Sequence, residues 1–323
     1  MKTRLMDTLG ELYVVADEVA DALKRGRPVV GLESAALARG FPGDVAAEIE
    51  ERIERAVIDA GAVPALLFLH DGRIHVGGTR DDIVAMAGNR SVERASRGNL
   101  VGVLSRPGYG VTTVSASMMI CAAAGIRFLA VGGIGGVHRG AFQPADGAAA
   151  ASLDVSPDLE ELARTDVVVV ASGAKSFLDL PATMQWLETR GVPVVTLGGR
   201  TVPGYFTIDS EEESPIVVDT VAQGADLVRR HFALNVGTGL LYCVPVPAEA
   251  AISREEIRRA TAVASREVQE SGISGGPVTA AVLDVIARET GHRTIQAQIA
   301  MSVRNAAVAA ELARRLAVGE TVG

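Results

Sequence analysis

Lysine is the scarce residue of this chain. The 31 basic side chains comprise Lys2, Lys24 and Lys175 and 28 arginines. Cysteine is scarcer still. Cys121 and Cys243 stand far apart, outside any CxxC pair or Cys/His cluster, which excludes a disulfide framework and speaks against structural zinc, so both read as buried thiols. Long apolar runs are missing too. Stretches such as Val167 to Ala171 fall far short of the roughly 20 residues of a membrane span, and Met1 to Gly10 lacks the apolar centre of a signal peptide, so no membrane partner and a cytoplasmic location are expected. There is no stripe of basic residues, and the net charge is −8. That balance argues against nucleic acid, because neutralised phosphates supply most of such affinity. Small-molecule chemistry is left.

What is present is 48% apolar and organised as alternating elements. Pro28 to Leu32 reads as a buried strand, and Asp44 to Ala60 as a helix with Val45, Ile49, Ile53 and Val57 on one face. Pro64 to His70 and Arg73 to Val76 flank Asp71-Gly72, a hairpin signal. Leu100 to Leu104 is expected as a strand and Thr113 to Ala124 as a helix. Phe128 to Val131, Val167 to Ala171, Val192 to Leu197 and Ile216 to Val218 are further strands. The last third is helical, over Ser253 to Glu270, Val278 to Glu289 and Thr294 to Leu316. Such alternation predicts an α/β fold with a mostly parallel sheet covered on both faces. No Pro/Ser-rich linker interrupts it, so residues 1–323 are expected to form one domain. The run Gly147 to Ala151 reads as a loop insertion.

Ligands of open α/β sheets bind beyond the carboxyl ends of the strands, so residues that end strands come first. Lys175 follows Val167 to Ala171 and a Ser-Gly bend. Unlike arginine, a lysine can lose its proton in a desolvated pocket and form a Schiff base with a carbonyl; a helix-capping surface lysine is the bland alternative. Ser172-x-x-Lys175 matches the SxxK of penicillin-recognising enzymes, but no SDN or KTG accompanies it. Glu33 ends the strand Pro28 to Leu32, where desolvation would raise its pKa and suit it to proton donation; an ordinary ion pair would also explain it. Gly132-Gly-Ile-Gly-Gly136 fails GxGxxG because His138 replaces the third glycine. Its backbone, including Gly133, could still approach an anion, with His138 and Arg139 following; a tight structural turn fits equally well. Asp154 precedes Ser156-Pro157-Asp158, a helix start with Ser at the cap and Pro at the first position. Asp154 is thus placed to take a hard cation such as Mg or Mn, and the helix start offers N–H groups to an oxyanion. Gln298, Ser302 and Asn305 make a polar stripe at helical spacing, facing either a ligand or neighbouring helices. His70, His75, His231 and His292 lack metal-ligand spacing and read as surface or core residues.

Together, Gly31-Leu-Glu-Ser34, Gly40-Phe-Pro42, Gly61-Ala-Val-Pro-Ala65, Thr112-Thr-Val114, Gly132 to Gly140, Asp154 to Leu159, Gly173-Ala-Lys-Ser176 and Gly191-Val-Pro-Val194 resemble the pseudouridine-5′-phosphate glycosidase family, also called indigoidine synthase A-like. The match runs in order from about Val14 to Leu316. The resemblance implies a homotrimeric three-layer α/β/α sandwich with a mostly parallel mixed central sheet. It implies an enzyme that makes or breaks a carbon–carbon glycosidic bond at C1 of ribose 5-phosphate, with Mn2+. By the same resemblance Lys175 forms the Schiff base with the ring-opened sugar, Glu33 donates a proton, Asp154 binds the metal, and Ser156, Pro157, Asp158 and Val114 contact substrate.

Some positions depart from the family pattern. Arg94 stands where a lysine is usual; it can bind phosphate but not shuttle a proton. Val131 replaces a threonine, Gln298 falls where an asparagine recognises uracil, Arg39 replaces a histidine, and the loop from His138 to Asp154 is longer. Sugar-handling residues are kept and base-handling ones altered, which points away from uracil. The chain therefore resembles the branch that joins ribose 5-phosphate to an aromatic polyketide, the alnumycin type, whose phosphorylated product needs a downstream phosphatase. Two alternatives stand beside this C-ribosyl synthase of antibiotic metabolism. One is a pseudouridine-5′-phosphate glycosidase. The other is a phosphosugar-binding subunit without catalysis.

Overall fold

The computed structural model describes residues 10–37, 42–87, 89, 92–142, 151–271 and 277–317. Arg39, Gly40 and most of the Gly147 to Ala151 run lie outside them. The elements run β1 (Tyr13–Val15), α1 (Asp17–Lys24), β2 (Val29–Glu33), α2 (Gly43–Asp59), β3 (Val63–His70), β4 (Arg73–Val76), α3 (Arg80–Ala87), β5 (Glu93–Ala95), α4 (Leu100–Leu104), β6 (Tyr109–Thr112), α5 (Val114–Ala124) and β7 (Phe128–Ala130). They continue with α6 (Pro157–Leu162), β8 (Val168–Ala171), α7 (Leu180–Thr189), β9 (Val194–Leu197), β10 (Ile216–Val218), α8 (Val221–Leu234), β11 (Leu240–Cys243), α9 (Arg254–Ser271), α10 (Pro277–Glu289) and α11 (Arg293–Ala317).

One sheet joins the strands in the order β1-β4-β3-β2-β7-β8-β11-β9-β10, with β6 paired to β3 and β5. Pairing is parallel except where β3 meets β4 and β6. The central strands read as unbroken apolar runs because both faces are covered. In β8, Val169 and Ala171 enter one apolar layer and Val168 and Val170 the other. The same alternation holds in β3, with Leu67 and Leu69 on one side and Leu66 and Phe68 on the other. Helices α5, α9 and α10 cover the first face, and α2, α8 and the second half of α11 the second. The fold is thus the expected three-layer α/β/α sandwich.

The Asp71-Gly72 hairpin forms as expected: both residues take positive φ, 45° and 77°, which matches the twist of β3 and β4. Two expectations are corrected. Leu100 to Leu104 is a helical turn, because Leu100 and Val103, three apart, are buried while Val101 is 80% exposed; a five-residue apolar run fits either period. The buried face of α2 carries Ala46, Ala47, Glu50 and Val57 instead of Val45, which is 41% exposed. One strand was not foreseen: β11 inserts between β8 and β9. Its short run Leu-Leu-Tyr-Cys gives little local signal, yet it lies inside the sheet. Both cysteines are free and buried. Among the described residues no helix is long and apolar enough to cross a membrane.

Candidate active site

The carboxyl ends of β2, β7 and β8 open onto a cavity of about 420 Å³, completed by α2, α10 and α11. Lys175 lies four residues beyond β8. Its backbone is fixed by a hydrogen bond from its amide to Ile134 O (3.1 Å), and its Nζ donates to Gly133 O at 3.2 Å. The amine is therefore held against the Gly132 to Gly136 loop, at the cavity wall.

Glu33 is the last residue of β2. Next to it, Ser34 Oγ donates to Leu67 O (2.6 Å) and accepts from the Thr112 amide (2.9 Å), which stitches the end of β2 to β3 and β6. Glu33 borders the cavity, but its Oε2 is sealed from solvent and meets no partner within the protein. Burial pushes its pKa up to about 7; the positive charge of Lys175 opposes this, Asp158 adds to it and Arg94 opposes it. At neutral pH the carboxyl is poised to give or take a proton.

Asp154 and Ser156, just ahead of α6, and Pro157 and Asp158, its first two residues, line the cavity. Ser156 Oγ caps α6 by accepting from the Asp158 amide, and the Leu159 amide bonds Ser156 O, so two amides of the helix start are already used within the protein. Asp158 is a clamp: its Oδ1 accepts from the Ser115 amide (2.9 Å) and its Oδ2 from the Gly135 amide (2.8 Å). The glycine run is likewise needed for packing. A Cβ on Gly133 would come within 2.5 Å of the Tyr205 ring, and one on Gly135 would collide with Ser156. The Ile134 amide bonds Gly173 O, so this part of the loop donates to protein and not to an anion.

Asp154 faces the cavity half-exposed, with His138 Nδ1 at 3.7 Å from its carboxylate. Burial lowers the pKa of His138, Asp154 opposing and Lys175 reinforcing the shift. Among the described residues no group of three or more His, Cys, Asp and Glu could cage a metal. One exposed carboxylate fits a hard divalent ion that keeps most of its water, as such ions do beside phosphate ligands.

Arg94 on β5 and Val114 at the start of α5 also line the cavity, as does Gln298 on α11 together with Ser302. Asn305 does not. Fully buried, its Nδ2 donates to Val131 O (2.8 Å) and to Ser172 Oγ (3.2 Å), so it ties the ends of β7 and β8 together beneath the cavity. Eleven of the twelve residues expected in the site thus share one cavity, and Asn305 supports it from behind.

Tyr205 and Glu50 are two polar members of the lining that were not anticipated. Tyr205 is buried at φ 66°, a strained conformation for an aromatic residue, with its amide on Ser172 O. The turn sequence Val202-Pro203-Gly204 before it was the only available signal. Glu50 on α2 lies within a charged segment, Glu48-Ile-Glu-Glu51, that reads as a solvated face. Only its phase with Ala46, Ala47 and Val57 marks it as inward.

The model of the family described as indigoidine synthase A like protein matches residues 18–315. A pseudouridine-5′-phosphate glycosidase of Deinococcus radiodurans is 39% identical over 311 residues, 96% of this chain and 97% of that one. One of Solibacter usitatus is 40% identical over 299 residues, 93% of this chain and 97% of its own. Among solved structures, the prealnumycin C-glycosynthase AlnA in complex with ribulose 5-phosphate superposes with a TM-score of 0.85 at 32% identity, covering 96% of this chain and 98% of its own. An indigoidine synthase A-like protein of Thermotoga maritima gives a TM-score of 0.82 at 27% identity, over 95% and 97%. With its motifs in order, its sheet topology shared and nearly its whole length matched, the chain belongs to the indigoidine synthase A-like family.

Proposed function

We propose that this protein is an enzyme of the glycosidase and glycosynthase type that forms, or in reverse cleaves, a C–C glycosidic bond between C1 of ribose 5-phosphate and an aromatic acceptor. The observation that carries the reading is Lys175 Nζ held on the cavity wall, its charge acting on a Glu33 carboxyl poised near neutrality. Glu33 protonates the ring oxygen as the sugar opens. The neutral amine of Lys175 adds to the C1 aldehyde and water leaves, giving an iminium that is a better electrophile than the aldehyde. The acceptor carbon adds to C1 and gives up its proton. The sugar O4 then closes on C1 and displaces the lysine amine, so the net change is sugar plus acceptor to C-glycoside plus water. Arg94 supplies a fixed cation for the phosphate. Asp154 would hold a divalent ion, expected to be Mn2+, which when bound offsets negative charge on the sugar phosphate. A homotrimer and a phosphatase acting on the product belong to the same reading.

Support for an aromatic acceptor comes from the likeness to AlnA and from Val131 and Gln298 at the base-handling positions. The pseudouridine-5′-phosphate glycosidase reading has its own support in the names of the curated relatives. Borohydride added with ribose 5-phosphate should fix a mass adduct on Lys175 that is absent from Lys175→Arg; no adduct would overturn both readings. Efficient C-nucleotide formation from uracil would decide for the glycosidase.

A further inference from the structure

We propose that Glu50 is the acceptor-recognition residue, its carboxyl group hydrogen-bonding a carbonyl or phenolic oxygen of the planar ring that is to receive the sugar. The inference rests on the C-glycoside reading above and adds to it the residue that selects the ring and the chemistry it selects.

Three observations place Glu50 in this role. First, it is only 4% exposed and its Oε1 meets no hydrogen-bond partner within the protein. A buried polar atom without a partner costs stability, and native folds rarely keep one unless something else fills the need. Second, Glu50 lines the same cavity as Lys175, so its carboxyl group borders the space that a ring beside the bound sugar would occupy. Its surroundings there are apolar: Ile53 follows one turn later on α2, and Leu32 and Ala35 belong to the same layer. A flat ring with one polar edge fits such a wall better than a sugar phosphate. Third, the charges that act on Glu50 are carboxylates, those of Glu54 and Glu33, whereas Lys175 and Arg94 act on Glu33. Glu50 thus sits among negative charges, in surroundings that repel a phosphate. Burial first, then Glu54 and Glu33, push its pKa up to about 8, so at neutral pH it carries its proton and can donate. A carboxylic acid kept neutral in an apolar site is a strong donor to a carbonyl or phenolic oxygen.

The test uses the full chain with Glu50→Leu and Glu50→Gln, two probe acceptors (uracil and a hydroxynaphthoquinone), and ribose 5-phosphate. Glu50→Leu should keep the borohydride adduct on Lys175 at the wild-type level while raising the KM for the preferred ring about 10-fold to 100-fold, the loss of one buried donor. Glu50→Gln, which keeps a neutral donor, should recover most of that loss, an outcome that a mere change of wall volume would not produce. An acceptor KM for Glu50→Leu within about threefold of wild type overturns the inference, as does loss of the Lys175 adduct itself, which would place Glu50 at the sugar end. If wild type forms the adduct but turns over neither ring, the functional reading fails first. Equilibrium binding of the same rings then decides on Glu50: affinity falling in Leu and recovering in Gln keeps the inference, and equal affinities end it.

Discussion

Replacing Glu50 with glutamine should make the protein more stable, by an amount that grows with pH. The free glutamate carboxyl ionises near 4.5, and burial with its carboxylate neighbours pushes that of Glu50 up to about 8. Below about pH 4.5 the group is neutral in both the folded and unfolded chain and contributes no difference. Above that, the unfolded chain releases the proton and the fold retains it. Folding then takes up a proton, and stability falls as pH rises until the folded group itself ionises. The slope approaches about 1.4 kcal/mol per pH unit, which gives about 2–3 kcal/mol between about pH 5.5 and about pH 7.5 from this one side chain. Glutamine does not titrate, so its stability curve loses that component. Glu33, pushed up to about 7, acts in the same sense with a lower ceiling, because Lys175 and Arg94 favour its charged form. The assay is urea denaturation at a series of pH values, with the midpoints of wild type and Glu50→Gln compared at equal m. Two curves separated by a pH-independent offset would refute the reasoning, for they would mean that Glu50 is already ionised in the fold at neutral pH.

Three further substitutions follow from the site's supports. Asn305→Ala leaves Val131 O and Ser172 Oγ without their buried partner; a loss of about 1–3 kcal/mol by thermal denaturation is expected, with slower adduct formation at Lys175 as the ends of β7 and β8 loosen. Gly133→Ala puts a methyl group 2.5 Å from the Tyr205 ring and 3.0 Å from Gly173 O, and should cost about 1–3 kcal/mol, measured as a shift in the urea midpoint. Arg97 forks onto both oxygens of the fully buried Glu161 at 2.7 and 2.8 Å. Arg97→Met should destabilise by about 1–3 kcal/mol in the same assay, less than for a fully buried pair because Arg97 is 41% exposed, and adding Glu161→Met should recover most of it.

How far the site could be read from the sequence depends on where its information is stored. Lys175 and Glu33 were legible because each follows an apolar strand, and the carboxyl ends of parallel strands are where such sheets bind ligands. Asp154, Ser156 and Asp158 were legible through the Ser-Pro cap, which the structure keeps. Glu50 was not, since a glutamate in a glutamate-rich helix looks solvated, and only its phase with the buried Ala46, Ala47 and Val57 shows which glutamate turns inward. Tyr205 is set by backbone strain, which has no compositional trace. Asn305 was found by its helical phase but misplaced, because phase gives a direction and not a depth. The same limit governs the fold. Long β-branched runs such as Val167 to Ala171 announce a central strand, whereas β11 owes its place to its neighbours β8 and β9 and Leu100 to Leu104 owes its helical turn to burial at three-residue spacing.

The scarcity of lysine acquires a physical meaning at this site. Arg94 and Lys175 both line the cavity and both draw the carboxyl of Glu33 toward its charged form. As fixed charges they are equivalent, and an arginine, with its planar fork, binds a phosphate at least as well as a lysine does. They differ in one respect: a guanidinium does not give up its proton in a protein, and an amine must do so before it can attack a carbonyl. Of the two lysines among the described residues, Lys24 and Lys175, Lys175 is the one on the cavity wall, where the proposed Schiff base requires that property. Arg94 then bounds the chemistry from the other side. Glu33, poised near neutrality beside Arg94 and Lys175, is the group the proposed reaction asks to move the proton, so Glu33→Gln should cost far more turnover than Arg94→Lys, and a pH–rate profile of wild type should show a limb near the value to which Glu33 is raised. A profile flat through that range would mean that Glu33 does not carry the proton.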